Sequence, residues 1–153
     1  MSGADGAAPL VLLFGRDLRL TDNPAVAAAA ASGRPVIPLF VLDEGQGARP
    51  LGGASRWWLD KSLRALARAL EAKGSRLVLR RGPLAEAAAE AARSAEAAEL
   101  VFSRRFEPEA AAAEAEMTRR LEGAGVKVRA FNASLLHEPG QAPASGGPPA
   151  SRR

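Results

Sequence analysis

The chain contains no cysteine and one histidine, His137. Disulfides and thiolate metal sites are excluded, and a histidine-based metal cluster is excluded with them. No apolar run approaches the ~20 residues of a membrane-spanning helix. Met1 to Ala8 lacks the basic and apolar regions of a secretory signal, so the expectation is a cytoplasmic protein without membrane contact. The phosphate-cradling and nucleophile-bearing strings are missing too. No G-x-G-x-x-G follows the first apolar run, and neither G-x-x-x-x-G-K-[ST] nor G-x-S-x-G occurs. Nothing pairs a nucleophile with a base, and His137 beside Glu138 reads as structural.

What is present is a basic, alanine- and arginine-rich chain. Twenty-one Lys and Arg stand against 17 Asp and Glu, giving a net charge of +4. Such a surface attracts nucleic acid, but Arg and Ala also dominate proteins encoded by GC-rich genomes, so composition leaves both readings open. A chain of 153 residues, 47% hydrophobic, suits one domain burying roughly 70% of its unfolded surface.

Apolar runs alternate with helical patterns. Strands are predicted at 10–14, 36–42, 77–79, 100–102 and 126–131, and helices at 24–32, 54–73, 83–95 and 107–122. Gly33, Gly74 and Gly123 stand where left-handed helix ends belong. This alternation predicts an α/β fold, a Rossmann-like doubly wound five-stranded parallel sheet with helices on both faces. Residues 10–14 and 36–42 read as strands buried on both sides. Residues 77–79 and 126–131, short or interleaved with charge, read as edges. The order 3-2-1-4-5 follows, with Pro38 in an awkward interior position. In the long helix, Leu59, Leu63, Leu66 and Leu70 share one stripe. Trp58 flanks that stripe and is expected in the core, whereas Trp57 is expected to be the more exposed, among charges.

Ligands of such sheets bind beyond the carboxyl ends of the strands, where strand order reverses. That places the loops 15–23 and 103–108 on either side of a crevice, with the loop after Asp43 as a neighbouring wall. Gly15, Arg16, Phe40, Asp43, Arg104, Arg105 and Glu107 are expected to converge there. Asp17, Arg19 and Asp22 read instead as groups that fix their own loop, and Asn23 as the cap of a helix opening at Pro24.

The string Leu13-Phe14-Gly15-Arg16-Asp17-Leu18-Arg19-Leu20-Thr21-Asp22-Asn23-Pro24 closely resembles R-x-D-L-R-x-x-D-N, the opening signature of the DNA photolyase/cryptochrome family, with Gly15 in the place of its first arginine. Gly52-Gly53-Ala54-Ser55-Arg56-Trp57-Trp58-Leu59-Asp60-Lys61-Ser62-Leu63 resembles that family's G-x-A-S-x-W-W-L-x-x-S-L. Two weaker blocks follow in order, Phe102 to Pro108 and Asn132 to Pro139. The resemblance covers the N-terminal α/β domain only. It implies an antenna domain over 9–139; residues 1–8 are expected to be a flexible stretch, and the Pro/Gly/Ser-rich composition of 140–153 predicts a disordered tail.

The resemblance also carries functional expectations. The family repairs pyrimidine dimers in DNA by light-driven electron transfer from FAD, or senses light. Its N-terminal domain can hold an antenna pigment: a deazaflavin, FMN or a folate. Carried over residue by residue, the deazaflavin-type site falls on Phe40, Asp43, Arg105 and Glu107, with Arg16 adjacent. Gly15 stands where the family often has a basic residue or histidine, and Arg105 stands where some members have an acidic one. FAD is not expected to bind this chain, because the helical FAD-binding domain is not in it. That domain is the implied partner, DNA is expected to be met only through it, and the chain alone is expected to be an inactive monomer. A non-functional truncated photolyase fragment and a standalone nucleotide-binding α/β module are the alternatives.

Overall fold

The structure is a computed structural model that describes residues 7–45 and 50–133. The expectations for the stretch 1–6, for residues 46–49, for His137 and for the tail fall outside the described residues. The element order is β1 (Leu10–Phe14), α1 (Pro24–Ala31), β2 (Val36–Asp43), α2 (Gly53–Glu71), β3 (Val78–Gly82), α3 (Leu84–Ser94), β4 (Glu99–Ser103), α4 (Pro108–Gly123) and β5 (Lys127–Phe131). The five strands form one parallel sheet in the order β3-β2-β1-β4-β5, as the charge pattern predicts.

Alternation along the central strands sorts the core into two layers. Leu10, Leu12, Phe14 and Phe40 face α1 and α2, where they meet Ala25, Ala29, Leu66 and Leu70. Val11, Leu13, Leu39, Leu100 and Phe102 face α3 and α4, where they meet Ala88, Met117 and Leu121. Burying each leucine-sized side chain contributes about 1.5–3 kcal/mol. β1 and β4 are buried at every position, whereas β3 and β5 expose charge along the rims.

Pro38 is accommodated by register. It pairs with Leu12 on one side, but the pairing of β2 with β3 begins only at Leu39 opposite Val78. Pro35 turns its carbonyl to the Leu10 N–H. By alternation, the nitrogen of Pro38 points away from β1, toward the side that β3 has not yet reached, so no ladder bond is lost there.

Two expectations are corrected. Gly33 and Gly74 take the left-handed turn (φ +67° and +75°), but Gly123 lies inside α4, and Gly125 carries the positive φ (+81°). The final turn of α4 simply runs further than the glycine pattern suggests. Trp58 is not in the core: it is 65% exposed, more than Trp57 at 54%. The helical phase is right, since Leu66 and Leu70 of the same stripe are buried. Residues 52–58, however, are exposed at every position, so a side chain on the flank of the stripe finds nothing to pack on. Trp57 is partly shielded by Trp58, edge to face at 4.8 Å, and by Lys61 above its ring.

Candidate functional site

Every helix begins at the carboxyl edge of the sheet, so the loops after β1, β2 and β4 meet there. The first is organised by Asn23, which is 5% exposed. Its Oδ1 accepts from the N–H groups of Ala25 and Val26, capping α1. Its Nδ2 donates to Asp17 Oδ2 at 2.8 Å and to the Arg19 carbonyl. Asp17 in turn accepts from the Gly15 N–H, and Arg19 donates to the carbonyls of Asp22 and Ala133. Asp17, Arg19 and Asp22 therefore fix the loop. Sequence reading identified the cap but not that the same amide knits the whole loop; its signal was an asparagine directly before a proline-led helix, six residues after an aspartate.

Arg16 is left outside this network and reaches across the switch point. Its Nη1 donates to Glu107 Oε1 at 2.9 Å, joining the loop after β1 to the start of α4. Both side chains are exposed (78% and 49%), so the pair contributes little stability and its groups are open to a ligand. The carboxyl of Glu107 is held below its usual value, first by its own backbone N–H and further by the Arg16 and Arg105 guanidiniums.

Arg105 is fastened from below. The buried carboxylate of Glu114 accepts from the Arg105 backbone N–H at 3.2 Å and from its Nε at 3.1 Å. Sequence reading missed Glu114, which looks like one more polar residue in an alanine-rich helix. Burial raises its pKa against the opposing pull of Arg105. The folded state thus favours the neutral acid more than the unfolded chain does. Its contribution to stability is complete below the ordinary value of 4.5 and is lost as pH rises through the higher folded value. Glu114→Gln is therefore expected to gain stability relative to the unmodified chain as pH rises from about 4 to 7; urea unfolding at several pH values checks this, and a pH-independent difference would contradict it. Glu107, with the opposite sign, is common to both proteins and cancels.

Asp43 caps α3 from outside: its Oδ1 accepts from Leu84 N–H at 3.1 Å and Gly45 N–H at 3.0 Å. Pro83, the residue before α3, offers no side-chain cap. Asp43 also borders a cleft of about 400 Å³, walled by Leu84, Ala85, Ala112 and Ala113 and edged by Glu109 and Glu116. Phe40 lies elsewhere. It projects from the opposite face of β2, where it floors a second cleft of about 360 Å³ with Leu42, Leu59, Leu63 and Leu79. Strand alternation sends residues 40 and 43 to opposite faces, so the structure does not bring Phe40 into one site with Asp43. Arg16, Arg105 and Glu107 do meet, and Asp43 stands at the end of the neighbouring strand.

The family description DNA photolyase matches residues 10–152. The chain belongs to the DNA photolyase family. It is 41% identical over 142 residues to a deoxyribodipyrimidine photo-lyase of Agrobacterium fabrum, covering 92% of this chain and 29% of that protein. It is 37% identical over 141 residues to Cryptochrome-1 of Arabidopsis thaliana, covering 91% of this chain and 21% of that one. A bacterial class III photolyase from Agrobacterium tumefaciens superimposes with a TM-score of 0.85 at 37% identity, over 95% of this chain and 30% of that structure. The chain thus spans less than a third of the length of the photolyase and cryptochrome relatives it matches. The aligned portion is the N-terminal α/β domain of the family. Among the described residues no helix is long and apolar enough to cross a membrane, and no group of His, Cys, Asp and Glu could hold a metal ion.

Proposed function

We propose that this chain is the antenna-pigment-binding domain of a photolyase or cryptochrome, gathering light for a flavin held in a helical domain joined to it. In this reading the lesion in duplex DNA meets that helical domain, and repair or signalling belongs to the two together. The single observation that carries the reading is the Arg16–Glu107 bridge across the switch point, one strand away from the Asp43-bordered cleft.

The residues present fit a flat, hydrogen-bonding ring. A cleft of about 400 Å³ falls within the range of small-ligand sites, roughly 300–1,000 Å³. Its alanine and leucine walls suit a planar apolar surface. Asp43, Glu109 and Glu116 offer acceptors to ring N–H groups, and the same three carboxylates repel phosphate or a glutamate tail. An anionic end of FMN or a folate is therefore directed to Arg16 and the exposed Arg104. A bound deazaflavin, FMN or folate would supply light absorption; the chain's own groups orient it and set its register against the sheet edge.

Titration with FMN and with a deazaflavin, followed by visible absorbance, tests this. Losing one charged hydrogen bond costs about 1.5–3 kcal/mol, so Arg16→Ala and Asp43→Ala are each expected to weaken binding about ten- to hundredfold. Equal binding by all three proteins places the site elsewhere. Binding by none of them removes the antenna reading and favours a non-functional fragment.

A further inference from the structure

The positive charge of this chain is concentrated in one place. Residues 53–82, which form α2 and β3, hold eight Lys and Arg against two acidic residues, a net charge of +6. The rest of the chain, with thirteen basic and fifteen acidic residues, is at −2. All eight basic side chains are exposed. Of these, only Arg64 and Arg81 have carboxylate partners among the described residues.

The same helix presents Trp57 and Trp58, 54% and 65% exposed. Their rings meet edge to face with centroids 4.8 Å apart, and the Lys61 ammonium lies 5.4 Å from the Trp57 ring centre. Beside them, α2 and the free edge strand β3 enclose the cleft floored by Leu42 and the exposed Leu79 and rimmed by Arg80 and Arg81. Neither tryptophan is needed by the core, and neither belongs to the Arg16–Glu107 site.

We infer that this α2–β3 face binds single-stranded nucleic acid, bases stacking on the tryptophan pair and phosphates meeting the surrounding cations. Unpaired bases offer their faces to aromatic side chains whatever their sequence, and basic residues alongside track the backbone. In a duplex the base faces are already stacked on one another, so an intact double helix supplies only the charge. Tryptophan and arginine also occur at protein interfaces, but a protein partner would have to bring acidic groups to match a net charge of +6, and charged residues are depleted at the core of such interfaces. The surface departs from the expectation that nucleic acid is met only through another domain, and it is independent of pigment binding.

The chain has only two tryptophans, so its intrinsic fluorescence reports on this face alone. A fluorescein-labelled oligothymidylate of about 12 nucleotides is expected to quench that fluorescence and to bind by anisotropy in about 50 mM salt, with a log–log salt slope of about −2 for three phosphates. The double variant Trp57→Ala/Trp58→Ala is expected to bind it about tenfold or more weakly. Heparin, a polyanion without bases, should bind that variant and the unmodified chain equally. Lys61→Glu/Arg80→Glu should weaken both ligands. Circular dichroism and urea unfolding confirm that the variants are folded. Absence of quenching, or equal loss of heparin and oligothymidylate in the tryptophan variant, overturns the inference. So does a dimer in sedimentation that the tryptophan variant dissolves, which would make the face a protein interface.

Discussion

Replacing Asn23 with leucine is expected to destabilise the fold by about 3 kcal/mol, the sum of a lost helix cap and of buried polar groups left unpaired. The leucine fills similar space, so the loss isolates hydrogen bonding. Ala25, 1% exposed, loses the acceptor for its N–H. Asp17 loses its 2.8 Å donor and keeps the Gly15 N–H. For a chain of this size the melting temperature should fall by about 10 °C. Asn23→Asp provides the internal comparison. It keeps the capping oxygen but sets a second carboxylate against Asp17, so its penalty should shrink as pH falls and the pair can share a proton. Urea unfolding by circular dichroism measures both, and a loss below about 0.5 kcal/mol for Asn23→Leu would show that Asn23 is not what holds the loop.

Phe14→Ala should cost about 3–5 kcal/mol, the range for emptying a buried aromatic site. Phe14 is 2% exposed and ends β1 one residue before the loop that carries Arg16. It pairs with Phe40 across the sheet and packs in the layer under α1. The cavity therefore opens beneath the switch point, and Arg16 should lose its fixed position as well. Trp58→Ala is the control. With the ring 65% exposed, its removal should change stability by less than about 0.5 kcal/mol. Thermal and urea unfolding of the two variants distinguish a core aromatic from a surface one. A Trp58→Ala loss comparable to that of Phe14→Ala would show that the ring packs against something.

How far the site could be read ahead of the structure depended on how local each cause was. The Asn23 cap and the proline start of α1 depend on neighbours within three residues, and they stand where the sequence places them. The edge strands announced themselves by charge at Arg80, Arg81, Lys127 and Arg129. Glu114 gave no such sign, because its partner Arg105 lies nine residues away and only the turn from β4 into α4 brings the two together. Asp43 was legible as a residue at a strand end, but its role as the cap of α3 requires a partner 41 residues away. Phe40 and Asp43 were grouped by their place near the end of one strand as well as by resemblance, and the two-residue alternation of the strand separated them.

By itself, the sequence determined the order and kind of the elements, the parallel sheet, its buried centre and its charged rims. These follow from periodicity, chain reversals and the cost of burying charge, all of which act over short spans. Four ordered blocks of residues also carried the family. The tertiary structure alone decided which side chains meet: that Arg16 reaches Glu107, that Glu114 holds Arg105 and that Asp43 caps α3. It also decided that both tryptophans face solvent beside a cluster of positive charge. A helical phase states the angle at which a side chain leaves its helix, but whether anything waits there is set by elements distant along the chain.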